Sequence, residues 1–186
     1  TKQKTVPTEM LEIRKGTATK NYENTFFREF ADNLKKMFDK YSLDGLLIAN
    51  SECEAEKRLQ IDALLVTEKA VLIIDFKNFG GKITLPKNAK SEFDFGKWTN
   101  ESGEQIKGGS SINPFIQLKT QKERFIKVVE KHILTKLSQS DSFNAFHTVR
   151  AVCFQKPIEL IGKIPSNEEL NFLIFDKNTY LETIRD

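Results

Sequence analysis

The sequence predicts an α/β domain in which a mixed β-sheet is flanked by helices. One observation behind this prediction is the unbroken apolar run at residues 71–74, which is typical of a strand covered on both faces. Another is a pair of longer stretches, residues 21–41 and 113–137, whose apolar residues recur at three and four. A third is size, because 186 residues with 39% hydrophobic content suffice for one domain with its own core.

The N-terminal part is predicted to be an arm followed by a helix. Residues 1–20 are polar, so we expect an N-terminal arm, with the domain proper over residues 21–180. A helix is predicted from residue 21 to about residue 41. Glu23 falls in its first turn, where the helix dipole favours a carboxylate by only ~0.3–1 kcal/mol. The predicted apolar stripe comprises Phe26, Phe27, Phe30, Leu34, Met37 and Phe38.

Four strands are predicted next. Residues 46–49 would form a short first strand, and residues 51–56 an acidic loop. Two β-prone runs, residues 57–66 and 71–77, are separated by a short polar link and predict an antiparallel hairpin. Residues 82–85 would add a short edge strand before a proline.

Residues 86–112 form a polar insertion rich in Lys, Ser, Asn and Gly. Aromatic residues that alternate with polar ones predict a small hairpin whose second strand is residues 105–107, and residues 108–111 are predicted to be a flexible hinge. Packing of this insertion onto the core is expected rather than stacking of its rings on bases. The alternating aromatic residues are Phe93, Phe95 and Trp98.

A second helix is predicted from Asn113-Pro114, a cap followed by proline at the first helical position, to about Leu137. Residues 119–136 carry six basic against two acidic residues, a local net charge of +4. Lys119, Lys122 and Lys127 are therefore candidates to follow a phosphate backbone, with a solvated helix as the alternative. Two further strands, residues 147–154 and 170–175, complete the sheet. The residues predicted to face inward are Phe115, Leu118, Phe125, Val129 and Ile133.

The candidate site lies where the buried run ends, because Asp75 and Lys77 are two residues apart and share one face of a strand. If Glu68-Lys69 is the hairpin loop, Asp62 lies directly across from Asp75. Two opposed carboxylates are destabilising unless a cation sits between them, and magnesium commonly takes one or two carboxylates with phosphate oxygens and water. The trio predicts a phosphodiester-cleaving site, with a structural ion pair as the alternative.

These motifs, and their order in the chain, resemble those of a known family. Residues 61–66 and 71–81, followed by Trp98 and then by Asn113-Pro114 and Gln117, are similar in order to the NERD (nuclease-related) domain of the PD-(D/E)xK superfamily, over residues 21–155. The family usually has Glu where this chain has Asp75, and Gly where this chain has Tyr22.

The resemblance implies a restriction-endonuclease-like fold and a Mg²⁺- or Mn²⁺-dependent nuclease. Asp62 and Asp75 would hold the metal, and Glu23 would complete its shell unless it serves only the helix dipole. Lys77 would position or activate water, and Gln117 would orient the water or the lysine. DNA is the expected substrate and endonuclease action the expected mode.

The alternative is a non-catalytic nucleic-acid-binding or docking module for a fused or partner helicase or kinase, and a homodimer is left open. The net charge of +3 is too mild to indicate nucleic acid by itself. The widely spaced Cys53 and Cys153 and the lack of long apolar runs predict a cytoplasmic protein without a membrane segment. The start at Thr1, without methionine, suggests a fragment of a longer protein.

Overall fold

The computed structural model describes residues 10–16, 21–53, 58–88, 91–136 and 144–186. The strands are Leu11–Lys15 (β1), Gly45–Cys53 (β2), Leu59–Thr67 (β3), Val71–Lys77 (β4), Gly81–Thr84 (β5), Trp98–Thr99 (β6), Gln105–Ile106 (β7), Val149–Phe154 (β8), Ile158–Ile161 (β9) and Phe172–Asp176 (β10). The α-helices are Asn21–Tyr41 (α1), Ser91–Phe95 (α2), Pro114–Val128 (α3) and Tyr180–Arg185 (α4).

The strands form a six-stranded sheet in the order β1-β2-β3-β4-β8-β10 and a four-stranded sheet in the order β7-β6-β5-β9. The larger sheet is mixed, because β3 is antiparallel to both β2 and β4, whereas β4 and β8 run parallel. Strand β4 lies inside this sheet, and its first six residues are all buried. The predicted α/β class with a mixed sheet is therefore confirmed.

Helix α1 covers one face of the large sheet. The rings of Phe26 and Phe30 pack edge-on against Phe76 of β4, with centroid distances of 5.1 and 5.2 Å. Tyr180 of α4 stacks on Phe30 at 4.8 Å. Because side chains alternate along a strand, the even-numbered residues of β4 belong to this face.

Helix α3 and the small sheet cover the opposite face. Phe115 of α3 contacts Phe93 of α2 and Phe172 of β10, with centroid distances of 5.1 and 5.0 Å. Ile73 of β4 belongs to the same buried cluster. Asp75 and Lys77 follow Ile73 at two-residue steps, so they lie on the α3 face.

Several predicted elements differ from those observed. The arm contains strand β1, an edge strand whose Leu11 is fully buried. Strand β2 extends through Cys53, so residues 51–53 are paired rather than looped, whereas residues 54–57 lie outside the described part. Strand β5 pairs on both sides, with β6 and β9, and so is not an edge strand.

The insertion also differs in detail. Phe93 and Phe95 lie on helix α2, and only Trp98 belongs to the predicted hairpin, where it pairs with Ile106. Both Phe93 and Trp98 are fully buried, so packing onto the core is confirmed. The predicted hinge is a tight turn closed by Gly108–Ser111 backbone hydrogen bonds of 3.1 and 2.8 Å.

The ends of the chain's later elements were less well predicted. The second long helix passes from α3 into a π-helical turn, Val129–Ile133, and a 3-10 turn, Leu134–Lys136. Ile133 is 43% exposed, so its predicted inward position is wrong. Strand β9 and helix α4 had no sequence prediction. Among the described residues, no helix is long and apolar enough to cross a membrane.

Candidate active site

Asp75, Lys77 and Gln117 form a closed polar ring on the α3 face of the large sheet. Lys77 Nζ lies 2.8 Å from Asp75 Oδ2 and donates a hydrogen bond to Gln117 Oε1 at 3.1 Å. The Gln117 amide donates in turn to Asp75 Oδ1 at 3.1 Å. The side chains of Asp75 and Lys77 are only 4% and 12% exposed, so water screens this ion pair weakly.

The start of α3 places Gln117 over the strand. Asn113 caps the helix, because its Oδ1 accepts a 2.8 Å hydrogen bond from the backbone N–H of Ile116. Its amide donates to the carbonyls of Asp94 and Gly96, both at 2.8 Å. The same side chain thus anchors the helix to the insertion, and Gln117 emerges one turn later.

Asp62 reaches the site through its own hydrogen bond. The hairpin register predicted from the two-residue loop is observed from Val66–Val71 to Ala63–Ile74, where the pairing ends. Asp62 is the next residue, and its Oδ2 accepts a 2.9 Å hydrogen bond from the backbone N–H of Phe76. Because strand N–H groups point along the sheet, this oxygen lies between β3 and β4 beside Asp75. It does not stand over the sheet face as the simple pairing predicted.

A bend in the antiparallel pair of β2 and β3 accompanies this arrangement. Asn50 lies opposite Asp62 and has φ +45°, a left-handed conformation that Asn tolerates better than most residues. On one side of the bend Ala63 packs with the α1 core, and on the other side Ile61 packs with the α3 core. The outer half of the β2–β3 pair, residues 51–53 and 59–61, therefore turns toward α3. There, Gln121 donates a 2.9 Å hydrogen bond to the Gln60 carbonyl.

The remaining predicted site residues are Glu23 of α1 and three lysines of α3. The backbone of Glu23 lies in the first turn of α1, and its side chain is outside the described part. Lys119 and Lys127 are exposed, whereas Lys122 is half-buried. Burial lowers the pKa of Lys122, and the nearby Arg150 guanidinium lowers it further. Lys122 and Lys127 are about 140° apart around the helix, so the three lysines do not share one face.

The oxygen atoms at this site suit a hard divalent cation. Asp75 Oδ2 is buried and forms no hydrogen bond, because the Lys77 contact is an ion contact outside hydrogen-bond geometry. Asp62 and Asp75 are two carboxylates, the number that Mg²⁺ commonly takes from a protein while water and substrate oxygens supply the rest. Within the described ranges, no group of three or more His, Cys, Asp and Glu residues could hold a metal.

Gly108 is a part of this site that sequence reasoning missed. A Cβ at this position would lie 2.3 Å from the Asn113 carbonyl oxygen and 2.6 Å from Gln117 Cβ, so only glycine fits. The adjacent Gly109 has φ +62° and also faces Gln117. The signal was the Gly-Gly pair itself, which predicted flexibility but provides a close backbone approach.

For the nuclease activity that the resemblance implies, we expect Gly108→Ala to lower the rate by up to about 10²-fold, because a shift of about 1 Å in a positioning group can have that effect. The added methyl displaces Gln117 and therefore the atoms that hold Lys77 and Asp75. Cleavage rates would be measured beside Gly103→Asn, a control at a left-handed position with open space around it. Adding Gly108→Ala to Gln117→Ala should cost little more; equal losses in both backgrounds would contradict a role through the Gln117 amide.

Fold and site together define an α/β protein with a buried Asp-Lys-Gln ring at the end of a central strand of its mixed sheet. The family model of the nuclease-related domain, NERD, matches residues 19–154. The chain therefore belongs to the nuclease-related domain family, whose superfamily is PD-(D/E)xK. Neither a curated protein nor a solved structure matches it.

Proposed function

We propose that this protein is a metal-dependent nuclease that hydrolyses phosphodiester bonds in DNA. The observation that carries the proposal is the buried ring of Asp75, Lys77 and Gln117, with the Asp62 carboxylate beside it. A buried carboxylate and ammonium at the end of a central strand are costly to bury, and catalysis gives a reason to retain them.

The residues divide the chemistry among them. Asp62 and Asp75 would hold Mg²⁺ or Mn²⁺, which polarises a phosphate and stabilises developing negative charge when bound. The Lys77 ammonium, a donor with no acceptor site, orients the attacking water or a phosphate oxygen. Gln117 fixes that ammonium through its Oε1 and steadies Asp75 through its Nε2. Glu23 is retained as a candidate third ligand.

A docking module is the second candidate function. The observation that favours it is that both oxygens of Asp75 already face donors from within the chain, as in a structural ion pair. In that case the domain would bind nucleic acid without cleaving it and would recruit a fused or partner helicase or kinase, or a second copy of itself. The two free cysteines, Cys53 and Cys153, support a reducing cytoplasmic location under either function.

A cleavage assay separates the two functions. Supercoiled plasmid, linear duplex, single-stranded DNA and RNA would each be incubated with Mg²⁺, Mn²⁺ or EDTA. The nuclease proposal expects metal-dependent products, and nicking of the closed circle identifies endonuclease action. Binding without cleavage of any substrate would favour the docking module instead.

We further expect Lys119→Glu combined with Lys127→Glu to weaken DNA binding if the substrate extends over α3. Lys122 is left unchanged because its side chain is half-buried beside Arg150. The salt dependence of binding should fall by about 0.9 for each lost phosphate contact. Lys36→Glu with Lys40→Glu, two exposed lysines on α1, is the charge-matched control for measurements by fluorescence anisotropy. Equal effects of the two pairs would indicate only a general loss of positive charge.

A further inference from the structure

A polar groove opens directly beyond the C-terminal end of β4. It has a volume of about 590 Å³ and is bounded by the chain that leaves β4, the turn after β8, and the β6–β7 hairpin. Its lining includes Asn78, Phe79, Asn100, Glu104 and Lys156. In α/β sheets, ligands bind in the crevice outside the carboxyl ends of the strands, and this groove occupies such a position.

Backbone pairing ties the groove to the catalytic ring. Strands β4 and β8 run parallel with Lys77 opposite Phe154, and the N–H of Gln155 donates a 2.8 Å hydrogen bond to the Lys77 carbonyl. Lys156 follows Gln155 in the bend just after β8, so this pairing places it close to the end of β4.

Lys156 is the cation of the groove. Its stem lies against Gly80, where an added Cβ would come within 2.7 Å of the Lys156 Cβ. Its side chain is exposed, and among the described residues no carboxylate pairs with its ammonium. Gly80 therefore supports the stem while the charged end remains available to an anion at the edge of the groove.

We propose that this groove holds the sugar-phosphate backbone beside the scissile bond, with Lys156 contacting a neighbouring phosphate. The inference rests on the proposed nuclease function and assigns the direction in which the strand leaves the active site, toward the insertion. Glu104 is the opposing charge of the same groove, and its Oε2 accepts a hydrogen bond from the Asn100 amide. A phosphate in the groove is attracted by Lys156 and repelled by Glu104.

Because the groove carries one charge of each sign, two variants are expected to change DNA binding in opposite directions. Lys156→Ala should weaken DNA binding several-fold at low salt and reduce the salt slope by about 0.9. Glu104→Gln should tighten binding, because it removes a like charge while keeping the size of the side chain. Lys163→Ala is the matched control, since Lys163 is an exposed lysine beyond the far end of β9 and does not line the groove.

Binding would be measured by anisotropy with labelled DNA in EDTA, so that the test does not require cleavage. In a cleavage assay with metal, Lys156→Ala should raise KM for DNA while kcat, and hydrolysis of bis(p-nitrophenyl) phosphate, stay near wild type. Wild-type-like binding by Lys156→Ala, an equal loss in Lys163→Ala, or weaker binding by Glu104→Gln would each overturn the groove proposal. Binding that follows the expected pattern without any cleavage would overturn the nuclease function and leave the groove assignment standing.

Discussion

Lys77→Ala is expected to reduce phosphodiester cleavage by about 10²–10⁴-fold, the usual contribution of a positioned acid–base group. The change removes the ammonium that contacts both Asp75 and Gln117 but removes no oxygen ligand. Metal should therefore still bind, and more tightly, because a neighbouring positive charge has been removed. Mn²⁺ titration by calorimetry and plasmid nicking measure the two effects, with the exposed Lys36→Ala as control.

The same change has a stability cost that metal should partly reverse. Removing one partner of a buried ion pair costs roughly 3–5 kcal/mol, because the remaining charge is left uncompensated. A divalent cation beside Asp75 would replace the missing positive charge, so added Mn²⁺ should raise the melting temperature of Lys77→Ala more than that of wild type. A folded variant that cleaves as fast as wild type would show that Lys77 has no catalytic role.

Asp75→Asn is expected to remove both metal binding and cleavage, with activity falling to the level measured in EDTA. Asparagine keeps the size of the side chain and can still accept the Gln117 hydrogen bond, but it supplies no charge to a metal or to Lys77. The loss of metal affinity distinguishes this variant from Lys77→Ala, for which affinity is retained. Asp39→Asn, an exposed change on α1, serves as control in the same calorimetry and nicking assays. Undiminished Mn²⁺ affinity in Asp75→Asn would exclude this carboxylate as a ligand.

Local sequence patterns were sufficient to predict the β3–β4 hairpin and the start of α3. The register of the β3–β4 hairpin could be predicted because the loop holds only Glu68 and Lys69, and Thr67 closes it through a 2.9 Å backbone bond to Ala70. Once that turn is known, the position of Asp75 follows by counting, whereas Asp62 lies just beyond the end of the pairing. The start of α3 was equally local, since Asn113 and Pro114 are themselves the cap and first residue.

The features that the sequence did not predict depend on contacts between elements far apart in the chain. The small hairpin of β6 and β7 was predicted, but strand β1 was not, because it forms only by pairing with the edge of β2. The left-handed Asn50 produces no periodic pattern in the sequence, yet it turns the outer half of the β2–β3 pair toward α3. In the candidate site, the approach of Gly108 to Gln117 and the position of Lys156 depend on elements far apart in the chain.

The buried Cys153 provides a chemical probe of unfolding, because its rate of alkylation depends on opening of the sheet. Its side chain is fully buried in β8, and burial raises the pKa of its thiol, as do the charges of Asp176 and Asp75. Since the thiolate is the reactive form, alkylation of Cys153 has to wait until the central sheet opens. With Cys53 replaced by serine, the chain would carry a single thiol. Its labelling rate would then report how often the sheet opens around Asp75 in each variant, in the buffer and metal used for the cleavage assay.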